Sequence, residues 1–294
     1  MSQAEKDALE ARLRAQIEAY HEAALVYAAV QLGLADKMEA RRWTGEGLAT
    51  ALGLSAAHLA RFLRGLCIIG VCEESSDGSF ALTPFGRSLT SGSPLANKVH
   101  IVIEQYWLPW ANLIATLPAG RPAFDQVFGM SVFDWRREHA AQGAMFAAYL
   151  AKETQADTEA ILAALDVSET DKVVEIVGAH AAFLAEIPSG ADLYLLKGVL
   201  QNYADDDAAV ILKHCRAAMA EGARLVVAER LLPARAMDDP AAVMLDLHMM
   251  TITGGRARTV AEFEALLPQA GLALMKIVPT TSGLALMEAN TEKR

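Results

Sequence analysis

From Lys172 onward the chain is written in short apolar runs. VVEIV, ADLYLL, RLVVAE and LALMKIV are each strand-like, and helix-like segments at Asp205 to Met219 and Val260 to Gln269 lie among them. Strands that alternate with helices predict a largely parallel sheet, because a parallel neighbour is reached only through a crossover of about a dozen residues or more. A last run, GLALMEA, predicts a final strand antiparallel to its neighbour. The first strand begins like that of a nucleotide-binding α/β domain. It should run into a glycine-rich turn, and here it meets Gly178 alone.

The chain before this point has a different pattern, and the boundary falls near 165 to 171, at DVSETDK. Residues 4 to 35 carry Leu9, Leu13, Ile17, Tyr20, Ala24, Tyr27 and Val30 at three- and four-residue spacing, which predicts helix, with Gly33 placed to end it. A short helix over Gly47 to Leu52, a turn at Gly53-Leu54-Ser55 and a longer helix with Ser55 as N-cap follow. GVCEESSDGSFALTPFGRSL then predicts a hairpin: strand Val71 to Glu74, turn Ser76-Asp77-Gly78, strand Ser79 to Thr83. Two helices and a hairpin in this order make a winged-helix unit. Its second helix carries only Arg61 and Arg64 as cations, and its wing is acidic with Glu73, Glu74 and Asp77. Phosphate contact needs more positive charge than that, so dimerisation is the expected role. Residues 95 to 166 are again helical and contain Trp107, Trp110, Phe124, Phe128, Phe133, Trp135, Met145, Phe146 and Tyr149. They suit a helical core or a wall for a flat apolar ligand.

Composition narrows the class further. Apolar residues are 53% of 294, enough for a sizeable core, and the net charge of −10 argues against general nucleic-acid or anionic-membrane binding. Cys67, Cys72 and Cys215 form no ligand pattern, and no Cys/His/carboxylate cluster has metal-ligand spacing. The start is charged and helical rather than a signal peptide, and no apolar run approaches a membrane span. The expectation is a cytoplasmic protein.

AAVQLGLADKM, LRGLCIIGVCEE, FALTPFGRSL, ADLYLLKGVL, ILKHCRAAM, GARLVVAERLLP, MLDLHMMTITGGRART and EFEALLPQAGL occur in an order that resembles the small-molecule O-methyltransferases. Those enzymes pair a winged-helix dimerisation domain with an S-adenosylmethionine domain. The bacterial set that tailors polyketides and other aromatic metabolites, in antibiotic biosynthesis, is the most similar flavour. The resemblance implies an α/β fold class: a mainly helical winged-helix dimerisation domain (1–94), a helical linker and substrate-pocket segment (95–168), and a Rossmann-like methyltransferase domain (169–294). One departure is large. After the first strand the family has a glycine-rich turn, a helix, a strand ending in an acid that holds the ribose hydroxyls, another helix and a third strand. Here VVEIVG runs almost at once into AHAAFLAEIPSGADLYLL, and roughly 45 residues of the pattern are missing, a whole cofactor half-site. The result would be a truncated Rossmann-like domain of about five strands with the first strand at one edge. Gly178 to Gly190 would serve as crossover, and Phe183, Leu184 and Ile187 would cover the sheet.

The resemblance also places the chemistry. The family's general-base histidine falls at Gln201, which cannot take a proton near neutral pH. One supporting carboxylate matches Glu229, and the other position is Ala257. His248, in LDLHMM, lies where the family points a side chain at the acceptor. The catalytic candidates are therefore His248, Glu229 and Gln201. Trp107, Phe128, Trp135, Met145, Phe146, Asn202, Tyr203 and Met249 are the substrate-binding candidates. Gly178 and Lys197 are remnants of the cofactor site, and no metal is expected. The leading expectation is a repurposed tailoring enzyme that acts on an aromatic molecule without S-adenosylmethionine, by acid/base cyclisation, isomerisation or elimination. Two alternatives stand beside it: a non-catalytic dimer partner of an intact methyltransferase, and an S-adenosylmethionine-dependent enzyme with an unusual cofactor site. The expected assembly is a homodimer, or a heterodimer with a related methyltransferase.

Overall fold

The structure is a computed structural model, and it describes residues 1–166, 172–176 and 187–291. They form two compact units: one of residues 1–107 and 144–149, the other of residues 108–143 and 150–294.

The first unit begins with two helices, Gln3–Glu18 and Tyr20–Gln31, where the sequence reads as one. Gly33 ends the second in the left-handed region at φ 59°, and its N–H donates to the Val30 carbonyl. The Gly45–Leu52 helix is capped by Thr44, whose side chain accepts from the Gly47 N–H. Ser55 occupies the N-cap of Ala56–Ile68 but makes no side-chain cap bond. The wing is strands β2 (Cys72–Glu74) and β3 (Ser79–Leu82), turned by Gly78 at φ 76° and by Asp77, which accepts from both the N–H and the hydroxyl of Ser79. A third strand, β1 (Trp43–Thr44), pairs antiparallel with β3. Two residues are too few to carry a period of two, so the pattern missed it. The core gathers Leu34, Met38, Leu48, Leu59, Leu63, Leu66, Phe80 and Leu82. Arg64 of the second winged-helix helix pairs with Glu74 of the wing. The Gln3–Glu18 helix buries no residue of its own, and Leu9, Leu13 and Ile17 lie exposed along it at four-residue spacing.

The second unit is built on a five-stranded sheet in the order β4-β5-β6-β8-β7. The strands are β4 (Val173–Ile176), β5 (Leu193–Lys197), β6 (Arg224–Glu229), β7 (Leu272–Pro279) and β8 (Ala285–Thr291). β4, β5 and β6 run parallel, and β8 is antiparallel to both β6 and β7. The first strand lies at the edge, as the resemblance implies. β4 pairs with β5 directly, Val173 beside Leu193 and Ile176 beside Leu196, so residues 177–192 are the whole link between them. Phe183 and Leu184 of that link lie outside the described residues, while Ile187 packs on the core.

Alternation along β5 and β6 sends side chains to two faces. Tyr194, Leu196, Leu225 and Val227 join the cluster formed with the Asp205–Ala218 and Val260–Leu266 helices. Leu193, Val226 and Ala228 face Ile161, near the end of the long Ala140–Ala164 helix. The Tyr194 hydroxyl, buried under this layer, donates to the carbonyls of Pro188 and Ala218. No single described helix is long and apolar enough to cross a membrane.

Candidate functional site

Open α/β sheets place ligands outside the carboxyl ends of their parallel strands. At the end of β5 the chain turns through Gly198, at φ 59°, into a 3-10 turn over Leu200–Asn202 and then the Asp205–Ala218 helix. The parallel register sets Lys197 beside Ala228, so Glu229, one residue further along β6, lies against that turn. Glu229 Oε1 accepts the Gln201 backbone N–H at 2.9 Å. Its Oε2 is buried without a hydrogen-bond partner among the described residues. Burial pushes the carboxyl up to about 7, against the pull of the Gln201 N–H and the Arg258 charge.

Arg258 is wholly buried and ties the same turn from the other side. Its guanidinium donates to Asp205 Oδ1 at 2.9 Å, to the Leu200 carbonyl at 3.0 Å and to the Tyr203 carbonyl at 2.9 Å. The Asn202 carboxamide donates to the carbonyls of Gly198 and Val199, so it caps the turn that carries it. The Tyr203 ring stacks on Phe133 at 6.1 Å and 6°. Burial, with Asp207 adding to it, pushes the Tyr203 phenol up to about 12.

Gly255 is what lets the segment before Arg258 approach. A Cβ there would run into the Gln201 carbonyl and the Asn202–Tyr203 peptide. Gly255→Ala is therefore expected to lower the Tm by about 4 °C or more; an unchanged Tm in thermal unfolding would show that the turn yields freely. Where the family expects a second carboxylate this chain has Ala257, and its N–H donates to Asp246 Oδ1 at 2.8 Å.

His248 stands on the Pro240–Ile252 helix. The Trp110 indole Nε1–H donates to its Nδ1 at 3.2 Å, with the two rings 6.2 Å apart and 21° from parallel. Burial first, and then the charge of Arg136, lowers the imidazole to about 4. Its helix neighbour Met249 is buried. Phe128 and Trp135 pack with the fully buried Phe124, the three rings lying between 4.6 and 6.1 Å of one another, as a helical core does. Trp107, Met145 and Phe146 belong to the first unit.

The cofactor candidates divide. Gly178 lies outside the described residues. Lys197, only 11% exposed, pairs with Asp157 of the long helix at 3.0 Å. No strand among the described residues lies outside β4 to carry a ribose-binding acid. Among the described residues no group of His, Cys, Asp and Glu side chains is arranged to hold a metal. Sequence reasoning missed Arg258 and Asp246, whose roles arise from bonds to distant backbone that no motif announces. Trp110 was one of several aromatics, with nothing to single it out.

A helical winged-helix unit followed by a five-stranded mixed sheet of this order, with its polar residues gathered where β5 and β6 end, defines the Rossmann-like methyltransferase class. Residues 16–92 match the O-methyltransferase dimerisation domain and residues 181–273 the O-methyltransferase domain. The chain belongs to the small-molecule O-methyltransferase family. It is similar to phenazine O-methyltransferase PhzM of Lysobacter antibioticus, 29% identical over 312 aligned positions that cover 90% of this chain and 91% of the relative. Since 90% of 294 is about 265, about 47 of those 312 positions face a gap in this chain. The crystal structure of LaPhzM superposes with a TM-score of 0.88 at 28% identity, covering 97% of this chain and 99% of that one. The S-adenosylhomocysteine-bound structure of CalO1, a methyltransferase in calicheamicin biosynthesis, matches with a TM-score of 0.73 at 26% identity over 99% of this chain and all of that one.

Proposed function

We propose that this chain tailors an aromatic intermediate of bacterial secondary metabolism and does so without S-adenosylmethionine. The observation that carries the reading is the direct parallel pairing of β4 with β5, which leaves residues 177–192 as the entire link where the family resemblance implies a turn, two helices and two strands. The gap of about 47 positions against the phenazine enzyme is of the size this requires. The Lys197–Asp157 ion pair is a second support, because it engages the cation at the end of β5, where the family meets the cofactor.

In this reading Tyr203, Met249 and His248 line the ligand site of the second unit, and Asn202 shapes the turn beside it. Gln201 and Glu229 serve the chemistry together. Gln201 offers a neutral carboxamide, and Glu229 holds its backbone and titrates near neutrality, where proton exchange is efficient. Proton transfer on a bound ring, by cyclisation, isomerisation or elimination, is the reaction class. The dimerisation match and the exposed Leu9, Leu13 and Ile17 support a homodimer.

Calorimetric titration of the full chain with S-adenosylmethionine and S-adenosylhomocysteine tests the central point. No saturable heat is expected; a micromolar Kd for either would overturn the reading. That result would favour the second one, an S-adenosylmethionine-dependent O-methyltransferase with a non-standard cofactor site, which the S-adenosylhomocysteine-bound CalO1 relative supports.

A further inference from the structure

We propose that the Gln3–Glu18 helix is an interaction surface for a second copy of this chain. It pairs antiparallel with the same helix across a two-fold axis, so that Leu9 of one copy meets Ile17 of the other and Leu13 meets itself. The inference deepens the homodimer reading and rests on it.

The helix is well begun but has little of its own chain to lie on. Ser2 and Glu5 form a capping box, and the pairs Gln3–Asp7 and Arg14–Glu10 each span one turn. A helix of 16 residues with these local bonds is still marginal in water without tertiary packing. Yet it buries no residue. Leu9, Leu13 and Ile17, with Tyr20 at the start of the next helix, are each between 52% and 65% exposed. Their spacing of four, four and three residues puts all four on one face. Such a stripe is what a helix buries against another helix.

The stripe runs into the region that matches a dimerisation domain. Ala19, between the two helices, keeps right-handed dihedrals of φ −56° and ψ −23°, so the face continues from Leu9 and Leu13 to Ile17 and Tyr20. Ile17 and Tyr20 lie inside the match over residues 16–92, and Leu9 and Leu13 lie before it. The helix therefore extends a dimer surface rather than starting a separate one. A closed two-fold contact places the same patch on both copies.

Charge selects the orientation. About Leu13, an antiparallel pair sets Lys6 of one copy against the Tyr20 ring of the other and brings Glu10 beside Arg14. On the other flank Arg12 meets Gln16. A parallel pair in register would set Lys6 on Lys6 and Glu10 on Glu10. Charge also disfavours a lipid surface. The helix carries four acids, Glu5, Asp7, Glu10 and Glu18, against three bases, Lys6, Arg12 and Arg14, whereas helices that lie on anionic membranes are rich in Lys and Arg.

Light scattering of the full chain over a dilution series is the first test. The parent should be dimeric, and Leu13→Glu/Ile17→Glu should raise the dimer Kd about a hundredfold or more. Ala11→Glu/Ala15→Glu adds the same charge to the opposite face and should leave the dimer unchanged. A dimer that survives the Leu13 and Ile17 changes, or that both double variants weaken alike, overturns the inference and leaves the homodimer reading standing. A monomeric parent overturns both.

Mild oxidation of single-cysteine variants, with the parent as control, tests the orientation. Leu13→Cys should link two copies. Leu9→Cys should not, because antiparallel copies hold their ninth residues about 12 Å apart along the axis. Linkage through position 9, or none through position 13, overturns the antiparallel pairing. Co-sedimentation with mixed phosphatidylcholine and phosphatidylserine vesicles should leave the parent in the supernatant. Binding that the Leu13 and Ile17 changes abolish would assign the stripe to a membrane and overturn the inference.

Discussion

Arg258→Met is expected to destabilise the second unit by about 3 kcal/mol or more. The side chain is fully buried, yet its charge is balanced by Asp205, which is 48% exposed. The remaining bonds go to the carbonyls of Leu200 and Tyr203. Methionine fills much of the same volume, so little of the loss is cavity. What is lost is satisfaction: two carbonyls on the 200–203 turn lose a charged donor, and each such bond contributes about 1.5–3 kcal/mol. Arg258→Lys separates charge from geometry. A lysine ammonium keeps the charge but cannot span three acceptors as a planar fork does, so it should recover less than half of the loss. Urea denaturation of the two variants and the parent decides the matter. A shift below about 1 kcal/mol for Arg258→Met would mean that the turn holds without this residue.

The second large effect depends on pH. Burial raises the Glu229 carboxyl from 4.5 to about 7 in the folded chain. Below pH 4.5 both states hold the proton and the group contributes nothing. Between pH 4.5 and 7 the unfolded chain releases its proton while the folded chain keeps it, so each step up in pH favours unfolding. Above pH 7 the whole penalty is present, about 3 kcal/mol at most for a shift of this size. Glu229→Gln removes the ionisation and keeps a carbonyl oxygen for the Gln201 N–H. The variant should therefore match the parent near pH 4.5 and exceed it increasingly toward pH 8. Urea midpoints at pH 4.5, 6 and 8 read this directly. A difference that does not change with pH would show that Glu229 ionises freely in the fold.

Both residues belong to one small structure, the turn after β5, held by Glu229 beneath and by Arg258 and Gly255 from another segment. Glu229 and Gln201 were recognisable as family positions, 28 residues apart. Their contact follows from β5 and β6 being parallel neighbours, which the alternation of strands and helices already implied. Arg258 was not recognisable, because its partners are two backbone carbonyls, which every residue has, and the carboxylate of Asp205, 53 positions away. The family resemblance makes Lys197 a remnant of the cofactor site. Its ion pair with Asp157 depends on where the long Ala140–Ala164 helix lies, and nothing local to either residue specifies that.

The sequence by itself determined the winged-helix unit, the strands of the second sheet and the edge position of β4. These follow from hydrophobic periods, turn residues and segment order, which are local quantities or family patterns. β1 escaped because two residues carry no period. Only the tertiary structure decided the chemical state of the site. His248 accepts at Nδ1 from an indole 138 positions away, and the Glu229 carboxyl is pushed up to about 7 because packing excludes water from it. A proton's affinity for a side chain is set by what surrounds it in space, and chain order alone does not specify those surroundings.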